Sequence, residues 1–121
     1  MALQFLDFDY SEAEDGVATW DAIASVPAAR LQELAQEVQS ILAWACAEFG
    51  ALYGPHEEGG LWQYDLQCER PGQPLQEVRF DAAHGALVPT LQAGSDGRST
   101  VTLSVSGLPD FAEAFAARFE L

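Results

Sequence analysis

The sequence predicts an α+β protein: a two-layer sandwich whose antiparallel sheet of about five strands carries one long helix and one short C-terminal helix on one face, in the order ββαβββα. Three observations predict it. Residues 27–49 repeat apolar side chains at intervals of three and four, the helical period. Segments on both sides alternate apolar with polar residues, the strand period. Gly, Pro, Asp and Ser cluster between them, where turns are needed.

The elements follow in order. Residues 2–10 read as a strand with Leu6, Phe8 and Tyr10 on one side and Leu3, Phe5, Asp7 and Asp9 on the other. Residues 11–16 are an acidic loop closing on Asp15 and Gly16, a pair that turns favour. Residues 17–24 read as a second strand, with Trp20 and Ala22 sharing a side, which makes a hairpin with the first. Alternatively, residues 21–24 already belong to the helix approach.

The long helix has Leu31, Leu34, Ala35, Val38, Ile41, Leu42, Ala45 and Phe49 on its apolar face and Arg30, Glu33, Glu37 and Ser40 opposite. Ser25 is the expected N-cap, Pro27 falls in the first turn, and Gly50 is the expected left-handed stop. Trp44 breaks the pattern by following Glu37 and Ser40 on the polar face. It reads either as a rim residue under the C-terminal segment or as an aromatic anchor for a partner.

After a Gly- and Pro-containing connection over residues 51–60, residues 61–69 form the cleanest strand, with Trp62, Tyr64, Leu66 and Cys68 inward and Gln63, Asp65, Gln67 and Glu69 outward. Residues 75–81 form another, with Val78 and Phe80 inward. Residues 87–92 read as a short strand that Pro89 demotes to an edge or to an irregular segment. A loop covers residues 93–97, and Val101, Leu103 and Val105 point inward from a strand over residues 100–106. Pro109 and Asp110 open the last helix, whose Phe111, Phe115 and Phe119 form one ridge.

At 121 residues the chain fits a single domain spanning residues 1–121. Its 49% apolar content argues for a folded core. Nineteen acidic residues against five basic ones, all Arg, give a net charge of −14. Such a field repels nucleic-acid phosphates and anionic lipid, so neither is an expected partner. It favours a basic protein surface, or serves solubility alone. Cys46 and Cys68 are too few for a disulfide scaffold and read as small buried hydrophobes. The N-terminus lacks the basic residues of a signal peptide, and no apolar run reaches the roughly 20 residues that span a bilayer, so a cytoplasmic location is expected.

Chemical motifs fail one by one. Asp7, Asp9 and Ser11 match the opening of a calcium loop, but Glu12 stands where Gly is required and Ala18 where a bidentate Glu is required. His56, Glu57 and Glu58 lack the second His of a zinc-protease helix, and His84 is the sole other imidazole. No nucleophile elbow is present, Ser95 and Ser99 read as turn serines, and Gly59-Gly60 is too short to cradle phosphate. No catalytic residue, metal site or cofactor is therefore assigned. Segments 59–67 (GGLWQYDLQ) and 19–26 (TWDAIASV) resemble parts of small acidic bacterial proteins of unassigned function. The resemblance covers most of the chain but implies no activity, so no functional residue transfers.

The reading that remains is a non-enzymatic, acidic protein-binding domain of inhibitor, immunity or regulatory type, with a basic protein or a second copy as partner. The alternative is a small enzyme or ligand-binding domain, its site lying where the acidic hairpin meets the His56 loop. Residues that bear on binding are Trp44, Asp7, Asp9, Trp20, His56, Glu57, Trp62 and Tyr64. The outward polar residues Gln63, Asp65, Gln67, Glu69, Glu77, Arg79 and Asp81, joined by Thr and Ser of the last strand, are expected to share one flat face.

Overall fold

Alternation of apolar and polar side chains lets strands share one buried face, and here Ala18–Pro27, Trp62–Glu69 and Arg98–Gly107 do so within a five-stranded sheet. A computed structural model describes residues 2–92 and 97–121; of the loop expected over residues 93–97, all but Gly97, and with it Ser95, lies outside the described residues. The elements are β1 (Asp9–Glu12), β2 (Ala18–Pro27), α1 (Ala28–Phe49), β3 (Trp62–Glu69), β4 (Gln76–Glu77), β5 (Arg79–Asp81), β6 (Ala86–Val88), β7 (Arg98–Gly107) and α2 (Pro109–Phe119). Short 3₁₀ turns occupy Gly50–Leu52 and His56–Glu58.

The antiparallel sheet has the order β1-β2-β7-β3-β4, and β5 and β6 form a separate two-stranded sheet. β7 is the central strand. It pairs with all of β2, from Ala18↔Gly107 to Pro27↔Arg98, and with all of β3, from Trp62↔Gly107 to Glu69↔Thr100. Val101, Leu103 and Val105 are fully buried on one side. Both helices cover that side: α1 through Leu34, Val38, Ile41 and Leu42, and α2 through Phe111, Phe115 and Phe119. The expected two-layer α+β architecture is therefore the one observed. Gly107 makes the α2 contact feasible, since a Cβ there would meet the Phe111 ring at 2.5 Å.

The structure departs from expectation where backbone groups find partners outside the sheet. Only Asp9 and Tyr10 of the expected first strand are ladder, and β1 runs on through Ser11 and Glu12 of the expected acidic loop. The preceding segment lies along α1, where the Glu37 carboxylate accepts hydrogen bonds from three successive backbone amides: Gln4, Phe5 (2.9 Å) and Leu6 (2.8 Å). Glu37, expected on the wet face, is 8% exposed. The Arg30 guanidinium lies 5.0 Å above the Phe5 ring and closes the same flank.

Ser25 is not a cap. It pairs with Thr100 in the ladder, and its hydroxyl accepts from Arg98 Nε at 3.1 Å. β2 passes into α1 with no loop, Pro27 itself standing at the N-cap with φ −70°, an angle that suits strand end and helix start alike. Gly50 is right-handed (φ −58°), because the chain runs on into a 3₁₀ turn. The strand expected over residues 75–81 breaks at Val78. The Val78 amide donates to the Leu66 carbonyl at 2.9 Å, but the Phe80 amide donates to the Tyr64 hydroxyl at 2.8 Å, so the chain leaves the sheet and pairs with β6 instead. Residues 87–92 contribute only to Ala86–Val88, which ends before Pro89.

Removing the Glu37 carboxylate orphans three amides, that of Leu6 buried and those of Gln4 and Phe5 part-buried. Glu37→Ala is expected to destabilise the protein by about 3 kcal/mol, and Glu37→Gln, which keeps one acceptor, by about 1–2 kcal/mol. Urea unfolding followed by Trp fluorescence measures both; amide exchange at residues 4–6 should accelerate before global stability is lost.

Candidate functional site

The register of the central strands assembles a polar face on the side away from the helices. Cross-strand partners give the rows Asp9-Asp21-Ser104-Asp65, Ser11-Thr19-Ser106-Gln63 and Ile23-Thr102-Gln67-Glu77, and a last row of Ser25, Thr100 and Glu69. Asp9, Asp21, Asp65, Glu69 and Glu77 are all exposed. At a strand spacing of about 4.8 Å, Asp9 lies directly beside Asp21, and Asp65 is two strands further on, about 10 Å from Asp21. Ile23, 69% exposed, is the large apolar residue in the midst of this face. Arg98 marks its end and donates to Ser25 through Nε and NH2.

β2 supplies Thr19, Asp21, Ile23 and Ser25 to this face, and sequence reasoning missed them because nothing local says that β2 lies next to β7. Arg79 and Asp81 belong instead to the two-stranded sheet, since β5 has turned away. Arg79 still borders a notch of about 410 Å³ beside Asp65 and Glu77, with Tyr53 and Tyr64 as aromatic walls.

The remaining candidates are dispersed. Trp20 is 4% exposed and packs on Phe115 with ring centroids 4.9 Å apart. Trp62 is 1% exposed, stacks on Phe111 at 5.2 Å and donates from Nε1 to the Phe49 carbonyl at 2.8 Å. Trp44 is half-buried among Phe49, Phe111, Phe115 and Phe119, with centroid distances of 5.4 to 6.2 Å, so α2 covers it as the rim reading requires. Tyr64 ties β3 to β5 through its hydroxyl. Asp7 is exposed just before β1, outside the sheet that carries Asp9.

The acidic hairpin does meet the His56 loop. His56 Nε2 lies 3.4 Å from Asp15, and Nδ1 lies 3.7 Å from Glu57. The cleft between them, floored by Trp62 and Gly107, measures only about 10 Å³, too small for a substrate. Among the described residues no group of three or more His, Cys, Asp and Glu side chains is placed to hold a metal ion. Cys46 and Cys68 are free, and burial raises both thiols above their ordinary value, which keeps them protonated and weakly nucleophilic at neutral pH. No helix among the described residues is long and apolar enough to cross a membrane. Comparisons with protein-family models, with curated proteins and with solved structures find no match.

One surface dyad has a measurable electrostatic signature. His84 Nδ1 and Asp81 Oδ2 lie 2.6 Å apart at the β5–β6 turn, and this hydrogen bond holds the Asp81 carboxyl below its ordinary value. The ionised form is thus favoured on folding. Its stabilisation is present above the unfolded carboxyl value of about 3.9 and is lost as pH falls through the depressed folded value. Carbon-detected titration should show Asp81 ionising at lower pH than a free carboxylate, and His84→Ala should return it toward the ordinary midpoint.

Proposed function

We propose that the protein is a non-enzymatic acidic interaction domain, of inhibitor, immunity or regulatory type, that binds a basic protein through its open sheet face. The observation that carries this reading is the register pairing of Asp9 with Asp21. Like charges directly opposite on adjacent strands cost roughly 0.2–1 kcal/mol, and the row continues through Ser104 to Asp65, which adds a further negative charge. A partner's Arg or Lys side chains laid across this row relieve that repulsion. Ile23 supplies an apolar contact within a ring of polar groups, the arrangement in which an interface centre excludes water. A second copy would set the same carboxylates against one another, so the face favours a basic partner over a homodimer.

Charge reversal separates this surface from net charge. Wild-type protein on a resin is expected to retain basic proteins at low salt and release them at about 0.5 M salt. The double variant Asp21→Arg with Asp65→Arg should lose that retention. Glu57→Arg with Glu58→Arg, which changes net charge equally but lies on the His56 loop, should keep it. Equal losses in both variants would reduce the face to a solubility device.

A further inference from the structure

β1 is the end strand of the sheet, and its free backbone can be assigned residue by residue. The Ala13 amide donates to the Val17 carbonyl at 2.9 Å and closes the hairpin in the same register that pairs Ser11 with Thr19 and Asp9 with Asp21. Antiparallel pairing alternates between residues that exchange hydrogen bonds and residues that do not. Ser11 and Asp9 therefore bond toward β2, and the N–H and C=O groups of Tyr10 and Glu12 point away from the sheet. Among the described residues no hydrogen bond reaches them.

An apolar groove opens beside these two residues, on the helix side of β1. It measures about 410 Å³ and is lined by Tyr10, Trp20, Ala112, Glu113, Ala116 and Leu121. Trp20 forms a buried floor, Ala112 and Ala116 leave room because they are small, and Tyr10 and Leu121 are exposed walls at 57% and 47%. The Tyr10 and Trp20 rings lie 5.2 Å apart. The rim is acidic. Glu113 lines the groove, and Glu12 projects on the same side of β1 as Tyr10. Arg118, the basic residue of α2, projects from the flank of that helix opposite Ala112 and Ala116.

We propose that β1 and this groove form a docking site for an extended basic segment of the partner protein, added to the sheet as a further strand. The inference rests on the proposed function for the partner's charge and goes beyond it in the mode of binding. Alternation fixes the pattern such a segment must carry. Side chains on the open-face side come to lie next to Asp9 and Ser11 and are basic. Side chains on the helix side enter the Trp20 groove and are apolar. A basic segment is favoured over a second copy of this chain by the same feature, because β1 against β1 brings two acidic hairpins, with Asp9, Glu12, Glu14 and Asp15 of each, into one place.

The probe is an acetylated, amidated peptide of alternating arginine and valine, with a twin N-methylated on alternate amides. The peptide is expected to shift the amide resonances of Tyr10, Glu12, Ala112 and Ala116, to slow exchange at the Tyr10 and Glu12 amides, and to bind at least about tenfold more tightly than its twin. Ala116→Gln, which fills the groove without adding charge, should weaken binding by a similar factor. Ala112→Gln tests the same point if the first variant folds poorly. Equal binding by the two peptides, or shifts confined to the residues around Asp21 and Asp65, would overturn the strand-addition site while leaving the open face as a basic-protein surface. Slow exchange at Tyr10 and Glu12 without peptide, together with dimer formation in sedimentation, would also overturn it. Failure of wild-type protein to bind either the peptide or any basic protein at low salt would remove the proposed function as well.

Discussion

One buried carboxylate organises the flank of this fold. Glu37 sits midway along α1 and gathers the amides of residues 4–6, a set of charge-assisted bonds largely withdrawn from water. Those amides cannot then join a sheet. The N-terminal segment is held along the helix, Leu6 is delivered to the core, Phe8 meets Phe115 edge-on at 5.8 Å, and β1 begins only at Asp9. The short edge strand, the groove beside it and the exposure of Tyr10 all follow from where Glu37 ends the irregular segment.

The two sides of the sheet obey opposite rules. On the helix side, Trp62, Phe111, Phe115 and Trp44 form a continuous aromatic layer in which tilted and stacked rings fill the volume between α1, α2 and β3. On the open side, the strands present polar and acidic residues around Ile23, and among the described residues no ion pair reaches Asp9 or Asp21. An uncompensated charge row on a rigid sheet is cheap to maintain in water and becomes favourable against cations. That contrast is why the proposed recognition surface is the sheet, with Tyr10 and Trp20 at its edge.

Much of the fold was legible because its signals are periodic. The α1 stripe, the alternation in β3 and β7 and the Phe ridge of α2 each report burial directly, and each element lies within two residues of its expected place. What escaped is non-local. Glu37 looked wet because helical spacing puts it with Arg30 and Glu33; Trp44 on that same face was the hint that something covers it. Ser25 has the chemistry of a cap, but the β7 ladder claims it first. The break at Val78 depends on a hydroxyl from Tyr64, a partner that no pattern within residues 75–81 contains. The acidic face was half visible: β3 and β7 declared their outward residues, while Asp21 and Ile23 became part of it only through strand order.

The position of β7 has a consequence for how the chain is made. This strand joins β2 to β3 over residues 100–107, yet it lies after both in sequence. Until residues 98–107 leave the ribosome, β2 and β3 each present a naked edge to the cell, separated by a helix that has no finished sheet to rest on. β2 and β3 must therefore wait for their keystone, and both edges stay open to misassembly until it arrives.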